Sequence, residues 1–139
     1  MFFKGVIIVT GVALVAISSL VLFSYDFEEN SQMTETNFQK ILDIAKEFII
    51  SNPTFSYDGI SDTLKLEISP LDDTNSKFLV EGEFNTQHTG YGNREKVDLP
   101  EKITFHTIEV VIVDERVISA VIDNQWDELN QIPCSTASC

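Results

Sequence analysis

The pattern of apolar and polar positions divides the chain into an apolar N-terminal run and a longer mixed region. No charged residue occurs from Gly5 to Phe23, and Val, Ile, Leu and Ala dominate this run. A helix of that length, at about 1.5 Å per residue, covers roughly 28 Å, which is close to the hydrocarbon thickness of a bilayer. Because Lys4 precedes the run and acidic residues follow it, we expect residues 1–24 to be a transmembrane anchor with its C-terminal end outside the cytoplasm.

Two other interpretations of this run remain open. A cleaved signal peptide usually has an apolar region of about 7–15 residues and small residues at its cleavage site, whereas this run is longer and ends in LVLFSYDF. A buried helix of a soluble protein would need other elements to surround it. Residues 25–35 are acidic and polar and form a predicted linker. An anchor and a signal peptide both place residues 25–139 outside the cytoplasm.

The segment after the linker has the periodicity of a helix with one apolar side. Its stripe consists of Phe38, Ile41, Leu42, Ala45, Phe48 and Ile49. Thr36 and Gln39 form a capping-box pattern at the start of this helix. Asn52 stands before Pro53, a position that disfavours helical backbone, so the helix is expected to end there. Such a helix must pack on a flat apolar surface.

Four later segments alternate apolar and polar residues, which is typical of strands with one buried face. They cover residues 62–69, 77–88, 103–113 and 116–123. The expected buried residues are Leu64, Leu66, Ile68, Phe78, Val80, Phe84, Ile108, Val110, Ile112, Ile118, Ala120 and Ile122. LDDTNSK is a turn signal, and a hairpin is expected near Asp114 and Glu115. NQWDELNQ is predicted to be a short amphipathic C-terminal helix.

This order of elements predicts an α+β domain over residues 36–131, followed by a tail over residues 132–139. One helix packs on a four-stranded antiparallel sheet, because consecutive strands with short connections usually pair antiparallel. The apolar faces are large enough to form a core without a cofactor, and we expect none.

Several stretches together resemble a group of small archaeal exported and membrane-anchored proteins. They are the helix, NPTFSYDGISDTLKL, HTGYGNR and HTIEVVIVDERVISAVIDNQWDELNQ. The layout is also similar to cystatin-like and NTF2-like folds, in which a helix lies across a curved antiparallel sheet. The resemblance covers residues 36–131 and implies a fold but no activity, because such folds host enzymes, inhibitors and binding modules.

The charge balance narrows the class of partner. The chain has a formal net charge of −13, and residues 25–139 carry 8 basic and 22 acidic side chains. Nucleic acid is therefore not an expected partner, because phosphate binding needs clustered Lys and Arg. The expected partners are the membrane, through the N-terminal helix, and another protein.

Both histidines lie at the ends of one long polar connection, FNTQHTGYGNREKVDLPEKITFH. If strands 78–88 and 103–113 are antiparallel neighbours, His88 and His106 come together where the connecting residues 89–102 begin and end. Alternate residues of a strand lie on the same face. His88 is four residues from Phe84 and His106 is two residues from Ile108, so each histidine has the face of the apolar residues on its strand. We therefore expect both imidazoles on the core side, at one end of the sheet.

Two interpretations of this connection remain open. In the first, His88 and His106 with Tyr91 and Arg94 form a pocket for a small anion or a metal ion, since imidazoles bind metals and arginine clamps carboxylates. In the second, the histidine nitrogens bond to loop backbone groups and Arg94 pairs with an acid of its own loop, either Glu95, Asp98 or Glu101. We name no metal ligand and no catalytic residue.

Other candidates for chemistry are weaker. Cys134 and Cys139 form a candidate disulfide, because a cysteine pair outside the cytoplasm is usually oxidised. Two turns carry oxygen ligands, namely SYDGISD and DDTN, but neither has the spacing of a calcium loop. No nucleophile motif, phosphate loop or zinc spacing occurs in the sequence.

Three functions follow from these patterns. The first is a non-catalytic domain on a single membrane anchor, which binds a protein or a small ligand at the cell surface. The second is a pilin-like subunit of a surface assembly, whose apolar helix bundles with copies of itself. The third is a small-ligand, metal or catalytic site near His88 and His106. The first is our expectation, and it is not an enzyme.

Overall fold

The computed structural model describes residues 35–135 and residue 139. The predicted membrane anchor, residues 1–24, and nearly all of the predicted linker, residues 25–35, lie outside the described residues. None of the described helices is long and apolar enough to cross a membrane. Residues 38–139 belong to one structural unit.

Within residues 35–135, two helices precede six strands. Helix α1 covers residues 35–51, and helix α2 covers Pro53–Asp58. The strands are β1 (Gly59–Pro70), β2 (Lys77–Thr86), β3 (Thr104–Val113), β4 (Arg116–Ile122), β5 (Trp126–Asp127) and β6 (Ile132–Pro133). All neighbouring strands are antiparallel, and the sheet is open, with its strands in sequence order. The α+β class is confirmed, with six strands in place of the four that were predicted.

The core lies between α1 and one face of the sheet. The predicted helix stripe is confirmed, since Ile41, Ala45 and Ile49 are buried and the other members of the stripe pack against them. The alternation in β2 and β3 is also confirmed. Their buried residues are Phe78, Val80, Phe84, Ile108, Val110 and Ile112. Leu64, Leu66 and Ile68 of β1 pack on this core but remain partly exposed.

The ends of α1 differ in part from the prediction. Thr36 lies inside α1, so it is not the N-cap, and Gln39 donates to Asp43 Oδ1 at 2.9 Å. The predicted end before Pro53 is confirmed. Asn52 takes an extended conformation, with φ −83° and ψ 153°, and the chain then starts α2 with Pro53 in its first turn. Proline suits that position because its fixed φ is helical and no intrahelical bond needs its missing N–H.

The predicted C-terminal helix is wrong. The segment NQWDELNQ begins with a turn and continues as β5, where Trp126 pairs with Ile122 and Asp127 with Val121. Positive φ angles at Asp123 (50°) and Asn124 (54°) turn the chain back onto β4. A strand here satisfies backbone groups of β4 that a helix would leave without partners at the sheet edge.

Strand β4 contains an irregularity that the alternation did not predict. Val111 pairs with Ser119 but Ile112 pairs with Val117, so Ile118 is an extra residue in the ladder. Its side chain is 52% exposed, whereas Val117 packs against the core. A bulge adds one residue to a strand, so the alternation of buried and exposed positions shifts by one residue across it. For this reason the prediction that Ile118 is buried is wrong. The hairpin at Asp114 and Glu115 is confirmed, with φ of 47° and 62°.

Candidate functional site

The connection between β2 and β3 closes against α2 at one end of the sheet. Gln87 N donates to Asp58 O at 3.1 Å, and Lys102 N donates to Gln87 O at 2.8 Å. Eight polar side chains meet there and are called the polar cluster below. They are Thr54, Asp58, Thr86, His88, Tyr91, Arg94, His106 and Asp123. The cluster contains all four residues that the sequence named as ligand candidates.

Asp58 binds two of the four candidates. Its Oδ1 accepts from Arg94 Nη2, and its Oδ2 accepts from the backbone N–H of His88 at 2.8 Å and lies 2.9 Å from His88 Nδ1. The side chains of Asp58 and Arg94 are each 5% exposed. The prediction that Arg94 pairs with an acid of its own loop is therefore wrong. Its partner lies at the end of α2, where the chain enters β1.

Arg94 also holds the connection to α2 through its other contacts. Its Nη1 donates to Gly90 O at 2.7 Å, and its Nη2 lies 3.4 Å from Thr54 O. The guanidinium carbon stands 5.0 Å from the centre of the Tyr57 ring. Gly90, with φ 95°, permits the turn that brings its carbonyl under the guanidinium. Both terminal nitrogens of the guanidinium are thus bonded internally, and its Nε is buried without a hydrogen-bond partner in the described part of the chain. At 5% exposure, the side chain is not open to a ligand carboxylate from solvent.

Asp123 binds the other two candidates. Its Oδ2 lies 2.7 Å from His106 Nδ1 and accepts from the Tyr91 hydroxyl at 3.0 Å, while its Oδ1 accepts from Thr107 N at 2.7 Å. The two histidines thus bond to different carboxylates and do not form a paired-imidazole site. The expectation that loop backbone groups satisfy the histidine side chains is wrong as well, because carboxylates do so.

Tyr91 is fixed in a partly apolar environment. Its ring stacks on Trp126 with centroids 5.8 Å apart and an interplanar angle of 9°. Burial, the hydrogen bond to Asp123 and the charge of that carboxylate together raise the pKa of Tyr91 to about 12, and burial is the largest of the three causes. The phenol therefore stays protonated at all physiological pH values and acts as a hydrogen-bond donor.

Thr86 joins the two halves of the polar cluster. Its hydroxyl donates to His88 O at 2.7 Å and lies 3.1 Å from His106 Nε2. Asp123, His106 and Thr86 therefore follow the order carboxylate, imidazole, hydroxyl, which is the order of a nucleophilic triad. However, Thr86 is 0% exposed and His106 is 2% exposed, so a substrate has no approach to the hydroxyl in this conformation.

A second buried carboxylate lies beside the polar cluster. Glu128 is 1% exposed, and its oxygens accept from Thr54 N at 2.9 Å, Thr54 Oγ1 at 2.6 Å and Trp126 Nε1 at 2.8 Å. Gly92 N donates to the same threonine hydroxyl at 2.7 Å. Glu128 thus ties β5 to the start of α2 and to the β2–β3 connection, which is a structural role.

The cysteine pair and one candidate calcium ligand also make internal bonds. Cys134 and Cys139 are joined by a disulfide. Asp72, a candidate calcium ligand, accepts from Ser76 Oγ at 2.6 Å and Ser76 N at 3.0 Å. The Ser76 side chain is the main reason that the pKa of Asp72 falls to about 2. Across residues 35–135 and residue 139, no group of three or more His, Cys, Asp and Glu side chains has the geometry of a metal site.

The face of the sheet opposite α1 is strongly acidic. A shallow hollow of about 330 Å³ lies across β1, β2 and β3, and its charged lining consists of Lys65, Glu67, Glu81, Glu83 and Glu109. Glu67 stands opposite Glu81, and Glu81 stands opposite Glu109. Like charges that face each other across strands are destabilising, and their concentrated negative charge repels anionic groups.

The other open surface is the free edge of β1. Strand β1 stands at one end of the sheet order and pairs with β2 alone within the described part of the chain. Beside it, two adjoining hollows of about 290 and 440 Å³ run between α1 and β1. We call this surface the edge groove. Its apolar lining consists of Leu42, Ile50, Phe55, Leu64 and Leu66, and its polar lining includes Gln39, Asp43, Lys46 and Ser61.

The sequence did not point to Asp58, Asp123, Thr54 or Glu128 as partners of the candidate residues. Asp58 was noted as a turn residue, but Arg94 is 36 positions away from it along the chain. Comparisons of the chain with protein-family models, curated proteins and solved structures gave no match. Function is therefore inferred from the geometry of this molecule.

Proposed function

We propose that this protein is a non-catalytic protein-interaction module, held outside the cytoplasm by an N-terminal membrane anchor, which binds its partner along the free edge of β1. The observation that carries the proposal is that β1 pairs on one side only within residues 35–135 and has an apolar groove beside its free edge. Alternate residues of an edge strand direct N–H and C=O groups away from the sheet, and an added strand satisfies them.

The two edges of the sheet differ strongly. At the C-terminal edge, β6 has two residues, whereas β1 has twelve. Very short edge strands protect a sheet from adding another chain. Strand β1 lacks that protection, and its inward side chains are less completely buried than those of β2 and β3. The geometry thus favours one edge for association.

The polar cluster supports a non-catalytic role because its groups serve the fold. Asp58, Arg94, His106 and Asp123 bond to one another or to backbone groups in a region with little solvent access. A catalytic site needs reactive groups that a substrate can reach. The cluster instead fixes the β2–β3 connection against α2, and it keeps that end of the sheet rigid.

The proposed location outside the cytoplasm rests on two features. The apolar run from Gly5 to Phe23 has the length of a membrane span and a positive residue on its N-terminal side. The disulfide between Cys134 and Cys139 suits an oxidising compartment. We retain the cystatin-like layout as part of the proposal, because a helix lies on an open antiparallel sheet in this chain as well.

Site-specific photo-cross-linking in membranes tests the proposal. A benzophenone side chain in place of Ser69, on the outer face of β1, lies at the free edge, and the same group in place of Ser119, on β4, lies within the sheet. We expect the full-length chain to form a discrete covalent adduct with a protein from the Ser69 position and far less from the Ser119 position.

The matched position decides the result. Equal labelling at Ser69 and Ser119 would mean random encounter, and no adduct from either would mean an unoccupied edge; both results contradict the proposal. Fractionation of the same cells provides a second measurement. The proposal requires the intact chain in the membrane fraction, with residues after the anchor accessible to protease from outside the cell.

A further inference from the structure

We infer that the partner at the free edge is a second copy of this chain, paired antiparallel through β1 about a two-fold axis at Leu66. This inference rests on the proposed function, since it names the partner of the same surface. Pairing of this kind would join two six-stranded sheets into one continuous sheet, with α1 of both copies on the same side.

The register follows from the faces of β1 and from its charges. Opposed residues in an antiparallel pair lie on the same face of a sheet, so the inward residues Leu64, Leu66 and Ile68 must oppose inward residues of the second copy. This condition allows registers in which one strand is shifted by two residues relative to the other, which moves the two-fold axis by one residue. Among these, the register centred on Leu66 places Lys65 opposite Glu67 of the second copy, and Glu67 opposite Lys65 of the second copy.

The neighbouring registers are electrostatically unfavourable. Moving the axis to Lys65 places the two lysines opposite each other, and moving it to Glu67 places the two glutamates opposite each other. Unlike charges opposite each other across strands stabilise a pair, whereas like charges destabilise it. The sequence of β1 is thus self-complementary in one register, which is the requirement for a symmetric interface.

The charged side chains of β1 are available for this pairing. Neither Lys65 nor Glu67 takes part in any ion pair of residues 35–135, and both side chains are exposed. Lys65 stands opposite Glu83 within its own sheet, but no contact of ion-pair length forms between them. The amine and the carboxylate are therefore free to bind across the two-fold axis.

The inward side of the edge also fits a second copy. In the proposed register Leu66 faces its own symmetry mate. Ile68 lies beside Leu64 of the second copy, where the irregular part of β1 ends. All three side chains are partly exposed in the single chain, and Leu64 and Leu66 line the edge groove. Because the groove of the second copy carries the same apolar lining, association would remove both linings from water.

The charges and the irregularity of β1 also disfavour its pairing with an unrelated strand. A lysine and a glutamate in the middle of an edge strand oppose pairing with an apolar or singly charged strand. The register shift between Ile60 and Lys65 further limits regular pairing to the second half of β1, where Pro70 ends the strand. The edge of β1 is therefore poorly suited to pair with an unrelated strand and well suited to pair with β1 of a second copy.

Disulfide trapping tests the register in the full-length protein. In the proposed dimer the two Leu66 Cα atoms are about 5 Å apart, within the range that a disulfide spans. The two Ile68 Cα atoms are separated by four strand positions, or about 13 Å, and cannot be bridged. We expect Leu66→Cys to form a covalent dimer under mild oxidation in membranes or detergent, and Ile68→Cys to remain monomeric.

This pair of variants is matched, because both replace an aliphatic residue on the same face of the same strand. Cross-linking of Ile68→Cys alone, of both variants equally, or of neither would overturn the inference. Wild type also contains the native disulfide between Cys134 and Cys139. Oxidised in the same way, it shows how much dimer forms without a new cysteine.

Charge reversal gives an independent measurement that does not need a new cysteine. Lys65→Glu and Glu67→Lys each replace both unlike pairs across the axis by like pairs, and each should weaken dimerisation about tenfold or more, measured by sedimentation in detergent. The double variant restores unlike pairs and should return the dimer towards wild-type affinity. Absence of this recovery would contradict the Leu66 register.

The mass of the photo-adduct separates this inference from the proposed function. An adduct from Ser69 with twice the mass of the chain supports both. An adduct of any other mass, together with no Leu66→Cys dimer, overturns the second copy as partner and leaves the free edge as a binding surface. No adduct at all overturns both.

Discussion

Two carboxylates, the nearly buried Asp58 and the partly exposed Asp123, determine what the candidate residues can do. Asp58 holds Arg94 and His88, and Asp123 holds Tyr91 and His106. Each candidate group thereby makes an internal bond that a ligand would have to replace. The sequence predicted that the four candidate residues lie close together, but it did not identify the two aspartates that bind them.

Removal of the Arg94 guanidinium is expected to destabilise the fold strongly. Arg94→Met should lower the free energy of unfolding by about 3 kcal/mol, near the lower end of the range for breaking a buried ion pair, because the His88 backbone N–H still donates to Asp58. Urea unfolding measures this cost. In the double variant with Asp58→Asn the loss should be smaller than the sum of the single losses, since no unpaired charge remains; strict additivity would contradict a direct pair.

The titration of Tyr91 gives a second prediction at this scale. Its pKa of about 12 lies above the ordinary value of 10.0, so the neutral phenol is favoured by folding. The resulting stability is fully present below pH 10 and is lost as the pH rises from about 10 to about 12. Ultraviolet absorbance of phenolate, with the Tyr91→Phe curve subtracted, measures this transition.

Asp123→Asn tests the cause of that shift. The pKa of Tyr91 should fall, because the charge of Asp123 is removed, and should stay above 10, because burial is the largest cause of the shift. An unperturbed titration of Tyr91 in the wild-type protein would mean that its ring is not held between Trp126 and Asp123.

The partners of the candidate residues could not be predicted because they are distant in sequence. Asp123 is 17 residues from His106, and Asp58 is 30 residues from His88. Parity arguments place His106 correctly on the core side, because it lies inside β3. They do not extend to His88, because β2 ends at Thr86 and the alternation of a strand no longer applies beyond it.

At the scale of elements, the helix and the four long strands follow from periodicity. Alpha-helical spacing in α1 and alternation in β2 and β3 both arise from one buried face, so the patterns are strong. The C-terminal segment was predicted wrongly because two large apolar side chains three residues apart, Trp126 and Leu129, fit a helical turn as well as a short strand followed by a turn. The backbone partners that β4 offers decide between them.

The bulge in β4 provides a matched pair of isoleucines. Ile122 is 1% exposed and Ile118 is 52% exposed, although both were expected on the buried face. Ile122→Ala should cost about 2–5 kcal/mol in the free energy of unfolding, whereas Ile118→Ala should change it by no more than about 0.5 kcal/mol. Denaturant unfolding measures both variants. Similar costs for the two would show regular alternation through β4 and no bulge.

At the scale of the whole molecule, the two ends of the domain have different roles. The polar cluster fixes one end of the sheet, and the short strands β5 and β6 cover the edge of β4. The long edge of β1 and the edge groove remain open in the described part of the chain. The acidic outer face repels anionic surfaces, which agrees with the proposal that the partner binds at the edge.

This arrangement could not be predicted from sequence patterns. Alternation shows that β1 is a strand with one buried face, but an edge strand and an inner strand can show the same alternation. The prediction of one helix and four strands therefore gave the class and the buried faces. The strand order, which determines the free edge, depends on pairings that the periodicity does not contain.

Hydrogen exchange of β1 backbone amides tests the central claim most directly. In the full-length wild-type protein in membranes, we expect residues 65–69 to exchange slowly, because a bound partner satisfies the N–H groups that point away from β2. Lys65→Glu should raise exchange in this segment severalfold and leave β3, Thr104–Val113, unchanged. Fast exchange at residues 65–69 that is equal in both proteins would contradict the account.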